Sequence, residues 1–286
     1  MHIVCVGLAT VDLVQRVDRL PGVDSKTEAL TAEVAAGGPA TNAAITAAAL
    51  GAQVTLVTAV GAHPLGGLIR ADTEAYGVTL VDATPLARTP PPVSAVTVLD
   101  ATGERTIVSR NAGAAEAPVP PGFAELLAGA DMVLVDGHHP QLALGAARSG
   151  RPLLLDAGSW RPVFADLLPR ADVVACSAAF RPPGGAPVRD ALRSDGVRRG
   201  AITRGPQPVS WWNGDEHGEL TVPAVPAVDT AGAGDAFHGA LAVALGRGDD
   251  LLPALRYAVG IAGIRVRHTG PRSWLRFLPD GPVHLT

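Results

Sequence analysis

The amino-acid sequence predicts an α/β fold of three layers, αβα. A mostly parallel central sheet is covered by helices on both faces, and a small β lid stands off one edge. Two observations carry this. Short apolar runs rich in β-branched residues alternate with longer helical stretches along most of the chain, the pattern of a parallel sheet joined by crossover helices. Two more polar stretches, at about 11–36 and 93–110, interrupt the alternation and read as peripheral strands around turn residues.

Residues 3–8 open the sheet, and residues 11–36, with Pro21-Gly22 between two runs, form one half of the lid. Helix 41–50 ends at Gly51, strand 54–60 follows, and helix 65–76 ends at Gly77; glycine after a helix suits a left-handed cap. The second half of the lid, 93–110, has two β-prone runs around the turn Asp100-Ala101-Thr102-Gly103. Strand 132–135, helix 141–148, strands 153–155 and 173–176, helix 188–194 and strand 201–203 continue the alternation. Trp211-Trp212 before Asn213-Gly214 marks a hairpin. Proline-rich stretches at 90–92, 118–121 and 182–183 are loops. No shift in composition divides the chain and no internal repeat is evident, so residues 1–286 read as one domain, large enough to need no disulfide or metal staple.

With a net charge of -4 and 17% charged residues, the chain lacks the basic surface that tracks a phosphodiester backbone, so no nucleic-acid partner is expected. Cys5 and Cys176 each lie in an apolar run and read as small buried hydrophobes. No lysine or arginine precedes Asp12, so the start lacks the basic segment of a secretory signal, and a cytoplasmic protein is expected. The stretch 34–69 has no charged residue but is broken by Pro39, Asn42, Gly51 and Gln53. It reads as a buried helix and strand, with no membrane span.

The most informative string is Asp229-Thr230-Ala231-Gly232-Ala233-Gly234-Asp235, which runs into the apolar helix Ala236-Phe237-His238-Gly239-Ala240-Leu241. Glycines allow a tight turn with converging amides, and the helix start adds partial positive charge, which makes an anion cradle. A carboxylate at Asp235, where the cradle opens, can take a proton from an attacking hydroxyl; it can equally be a plain helix cap.

In Gly37-Gly38-Pro39-Ala40-Thr41-Asn42, the glycine pair admits a ligand close to the backbone and the Asn42 amide can both donate and accept; such a pair is also an ordinary packing device. Asp12, after Cys5-Val6-Gly7-Leu8-Ala9-Thr10-Val11, is either a ligand acceptor or a solvated charge at a strand end.

Together these strings resemble the PfkB/ribokinase family of carbohydrate kinases, and the similarity covers essentially the whole chain. Cys5-Val6-Gly7-Leu8 and the run from Asp235 to Leu245 look closest to its ketohexokinase and sulfofructose kinase branch. The resemblance implies a ribokinase-like fold and ATP-dependent phosphorylation of a primary hydroxyl on a small carbohydrate. It implies Asp235 as general base beside an anion hole of Gly232, Ala233 and Gly234, and a sugar site of Asp12, Gly37, Gly38 and Asn42. It places ATP on Thr203 and Gly205, with Ala231, Gly232 and Gly234, and Mg²⁺ with the phosphates. Asp229, with the backbone near Ala231 and Gly270, falls where some relatives bind K⁺.

Three departures sharpen the expectation. Ser177-Ala178-Ala179-Phe180 stands where many relatives carry Asn-x-x-Glu, so Mg²⁺ is expected to rest on ATP phosphates and water. Pro39 replaces a lysine of several relatives, which favours an unphosphorylated, ketose- or pentose-like sugar. His138, in Asp136-Gly137-His138-His139, stands near an arginine of the sulfofructose kinase branch and is a candidate sugar contact or a loop residue. The rival functions are a nucleoside kinase, which needs an aromatic base pocket, and a binding regulator without catalysis. Open lid edges suggest a homodimer formed through the lid.

Overall fold

The computed structural model of the chain describes residues 1–113 and 117–279. Strand β1 (His2–Val6) shows why the sheet is central: Ile3 and Cys5 enter one apolar layer and Val4 and Val6 the other. All four are at most 1% exposed, as befits a strand covered on both faces. It pairs in parallel with β4 (Gln53–Thr58) on one side and β8 (Met132–Val135) on the other. Beyond β4 lies β5 (Val78–Asp82). Beyond β8 come β9 (Leu153–Ala157), β10 (Val173–Ser177) and β11 (Arg199–Arg204), all parallel. The antiparallel hairpin β12 (Gln207–Asn213) and β13 (Glu216–Leu220) completes the order β13-β12-β11-β10-β9-β8-β1-β4-β5.

Helices α1 (Pro39–Ala49), α7 (Ala233–Gly246) and α8 (Leu251–Val266) cover one face. Helices α3 (Phe123–Ala128), α4 (Pro140–Ala147), α5 (Phe164–Leu167) and α6 (Val188–Ser194) cover the other. The three layers therefore form as the alternating pattern predicts. Helix α2 (Pro64–Ala75) packs Ile69 against Val11 and Ala36 of a second sheet. That sheet has the order β3-β2-β6-β7, built from β2 (Thr10–Val17), β3 (Thr31–Gly37), β6 (Val93–Leu99) and β7 (Arg105–Ser109).

Helices α1, α2 and α4 each start at a proline, one or two residues before the sequence pattern begins them, because proline has no amide to leave unpaired at a first helical position. The reading omits β5, α3, α5 and α8. β5 is short, and Thr79 interrupts and Asp82 ends its apolar residues, so no uninterrupted apolar run marks it. In α8 the residues around Pro253, Gly260 and Gly263 are buried on nearly every side, which blunts an amphipathic stripe. Both cysteines are free and buried; desolvation pushes the Cys176 thiol up to about 12. No described helix is long and apolar enough to cross a membrane.

Candidate active site

The C-terminal ends of β9, β10 and β11, the first turns of α1 and α7, and the inner face of the small sheet enclose a cavity of about 390 Å³. This is where ligands enter open α/β sheets. Its walls include Asp12, Gly38, Asn42, Thr203, Asp229, Ala231, Gly232, Gly234 and Asp235. Residues from four separate stretches of sequence meet there. Gly37, His138, Gly205 and Ala233 do not line it. Gly37 stands behind the wall, where a Cβ would run into the Asp12 carboxylate. Gly38 has φ 95° and its α-carbon faces Leu8 O closely enough to exclude a side chain, so the chain can turn from β3 into α1 only with glycine.

Asp235 occupies the first turn of α7 and accepts a 2.8 Å hydrogen bond from Asn42 Nδ2. The Asn42 Oδ1 in turn accepts from Arg272 Nη1 at 3.2 Å, and Arg272 is anchored to Asp72 at 3.1 Å and stacked over Tyr76. Burial raises the Asp235 carboxyl to about 6, helped by the negative charge of Asp156 and opposed by the Asn42 hydrogen bond and by His238. A carboxylate poised there is suited to exchange protons near neutral pH. Asp12, across the cavity on β2, accepts from Thr10 Oγ1 at 2.5 Å, and desolvation raises its carboxyl as well.

The cradle differs in detail from the expected set of amides. Gly232 adopts φ 68° as the residue before α7, a left-handed conformation that glycine accepts without strain. The Ala231 amide donates to Asp229 Oδ1 at 2.9 Å, and the Ala233 amide faces Thr230 O at 3.4 Å. No described residue accepts from the amides of Gly232, Gly234 or Asp235, so these are the donors open at the helix start. From the small sheet, Arg105 Nη1 donates to Thr230 O at 2.9 Å and to Thr230 Oγ1 at 2.8 Å.

Asp229 is buried and fully engaged: Oδ1 by Ala231, Oδ2 by the Gly270 amide at 3.0 Å and by Arg265 Nη2 at 3.4 Å. Arg265 Nη1 also donates to His268 O at 2.8 Å and to Asp229 O at 3.4 Å. A guanidinium thus sits among the groups expected to hold K⁺, and these residues do not fit a monovalent ion.

At the position of the missing glutamate, Phe180 is wholly buried and packs its ring edge-on at 5.4 Å to Phe164 and at 5.6 Å to Trp160. That place belongs to the core, and no group of three metal-ligating side chains forms among the described residues. His138 turns away from the cavity to Asp136, with Nδ1 3.2 Å from Oδ1, and to the Arg161 guanidinium. Asp136 is a structural hub: it accepts from the amides of Leu8 at 2.8 Å and His138 at 2.9 Å. Burial opposes its ionisation, but His138 and these amides hold its carboxyl well below the usual range.

Among the wall residues that the sequence does not single out are the charged groups Arg105, Asp156, Arg265 and Arg272. Asp156 carries a usable signal, an aspartate near the end of a buried apolar strand; Asp136, directly after β8, shares it. The three arginines carry none, since each is recruited from a distant element by the fold.

The description of pfkB family carbohydrate kinases matches residues 1–276. The ribokinase of Bacillus subtilis (strain 168) is 29% identical over 281 residues, covering 93% of each chain. The ketohexokinase of Mus musculus is 23% identical over 285 residues, covering 92% of this chain and 95% of its own. Among solved structures, the ribokinase of Thermotoga maritima superposes with a TM-score of 0.80 at 23% identity, over 96% of this chain and 95% of that one.

Proposed function

The chain belongs to the pfkB family of carbohydrate kinases, and from that premise we propose that it transfers the terminal phosphoryl group of ATP to a primary hydroxyl of a small unphosphorylated sugar. One observation carries the proposal: Asp235, a carboxyl raised to about 6, stands at the cavity beside the open amides of Gly232 and Gly234. A base and an anion cradle at one helix start are what in-line transfer from ATP needs. The sugar lies between Asp12, Gly38 and Asn42, and its hydroxyl gives its proton to Asp235 as the phosphoryl group arrives. The amides of Gly232, Gly234 and Asp235 face the transferring group, and Thr203 lies on the nucleotide side.

The relatives named ribokinase and ketohexokinase, together with Pro39 at the turn into α1, favour a pentose or ketose without a phosphate. Mg²⁺ enters with the ATP phosphates, as it does where few carboxylates are offered. We assign the enzyme to the cytoplasm and propose that two copies associate through the lid, whose edge strand β7 exposes Ile107 and Val108; unpaired strand edges favour such contacts.

ADP release screened over ketoses, aldoses, phosphosugars and nucleosides, with Asp235→Asn in parallel, tests the reading. Turnover of one unphosphorylated sugar, lost in the variant, is expected. Turnover of a nucleoside alone, or sugar binding without ADP, would replace it with one of its rivals.

A further inference from the structure

His238 lies one turn into α7 from Asp235, lines the same cavity and is 5% exposed. Its Nδ1 is 2.8 Å from Gly234 O and 3.4 Å from Asp156 Oδ2, and its Nε2 is 3.1 Å from Ala175 O on β10. The two carbonyls are acceptors, and so is Asp156 as a carboxylate; burial raises that carboxyl, opposed first by His238. A neutral imidazole has one N–H, so it would aim a lone pair at one of these oxygens. With a proton on both nitrogens, every contact becomes a donated hydrogen bond. Asp156 is 6% exposed, and His238 is its one cationic neighbour at ion-pair distance among the described residues.

We infer that His238 is held as a buried imidazolium and acts as a positioning residue, neutralising Asp156, fixing the cradle to β10 and keeping Asp235 ionised as the base. The groups that act on Asp235 come from five elements: Asp12 from β2, Asn42 from α1, Asp156 from β9, Arg265 from α8 and His238 from its own helix. Arg265 is already bound to Asp229, and Arg272, the other cation in the wall, is bound to Asp72. His238 is thus the cation at ion-pair distance left for Asp156, and the first of the charges that oppose the rise of its buried carboxyl; His138 and Arg161 also oppose that rise, and Asp136 adds to it. Without it, three carboxylates converge on one cavity, and repulsion drives Asp235 to hold its proton. The catalytic part of this inference rests on the reading of Asp235 as base; the charge relation between the three side chains does not.

Protein labelled with ¹⁵N-histidine and with ¹³C at the aspartate carboxyls tests both parts. In the wild type near neutral pH, the two His238 ring nitrogens are expected to resonate as an imidazolium; a neutral tautomer would overturn the inference. The Asp235 carboxyl, identified by its disappearance in Asp235→Asn, is expected to titrate higher by about half a pH unit or more in His238→Gln. An unmoved midpoint also overturns it. Should His238→Gln not fold, Asp156→Asn serves instead: the His238 ring nitrogens are expected to lose the imidazolium signature at the same pH once the counter-charge is gone, and an unchanged signature counts against the pair. In the sugar assay, the acid limb of turnover should move with the Asp235 titration. If Asp235→Asn keeps its turnover, the base assignment fails while the spectroscopic relation stands or falls by itself.

Discussion

Asn42 Nδ2 donates a 2.8 Å hydrogen bond to Asp235 Oδ2 across 193 residues of sequence. The amide expected to serve the sugar therefore also serves the proposed base: it holds the Asp235 carboxylate in place and favours its charged form.

Asn42→Ala should accordingly lower turnover as well as sugar affinity. Loss of one hydrogen bond to a charged group removes about 1.5–3 kcal/mol, or roughly 10- to 100-fold in kcat/KM. The loss should be greater on the acid side of neutrality, because the Asp235 carboxyl rises further without its donor. ATP affinity, measured by calorimetry, should stay within about a factor of two. A variant that weakens the sugar alone, at every pH equally, would detach Asn42 from the base.

Asp235→Asn should lower turnover by about 10²–10⁴-fold, the usual contribution of a positioned base. Its effect on stability has a definite sign. The folded-state carboxyl is raised from 3.8 to about 6, so the native state binds the extra proton, and stability is lost as pH rises through that window. Asparagine avoids that loss. The variant should match the wild type in acid and exceed it above the window by on the order of 1–3 kcal/mol, read by thermal unfolding at a series of pH values.

Replacing K⁺ with Na⁺ or with a bulky organic cation should leave turnover unchanged, because Arg265 already supplies the positive charge beside Asp229. Arg265→Met should unfold more readily by about 3–5 kcal/mol, since it leaves a buried carboxylate without its partner. Strong K⁺ activation of the wild type would contradict the assignment of that place to the guanidinium.

Phe180→Glu should lower the unfolding temperature rather than improve the use of Mg²⁺. The side chain lies in an aromatic cluster with Phe164 and Trp160, and an unpaired carboxylate there costs several kcal/mol. Phe180→Leu, which keeps the site apolar, should retain turnover, and titrating activity against Mg²⁺ should give the same midpoint as the wild type.

The layers of this fold are readable because each central strand is a run of residues buried on both sides, as Val133 and Leu134 on β8 illustrate. The cradle is readable for a related reason: Gly232, Gly234 and Asp235 belong to one turn, and their geometry is local. Arg272 and Arg105 are not readable. Each works through a partner more than a hundred residues away, Asn42 for one and Thr230 for the other, and no periodicity in the chain records that meeting. The expected place of His138 fails for a similar reason. Asp136, two residues before it, captures the imidazole for its own needs.

The small sheet is fastened by close glycine contacts at both of its ends. At one end Gly7 lies so close to the Asp136 carboxylate, and Gly38 to Leu8 O, that neither position has room for a methyl group. At the other end Gly103 lies as close to the Val228 backbone, and polar contacts join the same turn to the loop before α7: Arg16 Nη2 to Val228 O at 3.0 Å, Thr230 Oγ1 to Gly103 O at 3.3 Å, and Arg105 to Thr230. The small sheet is thus pinned at both ends, and the contacts at Gly103 also hold the loop that leads into α7. A methyl group added at Gly103 would therefore be felt at Gly232, on a stretch of chain more than a hundred residues away.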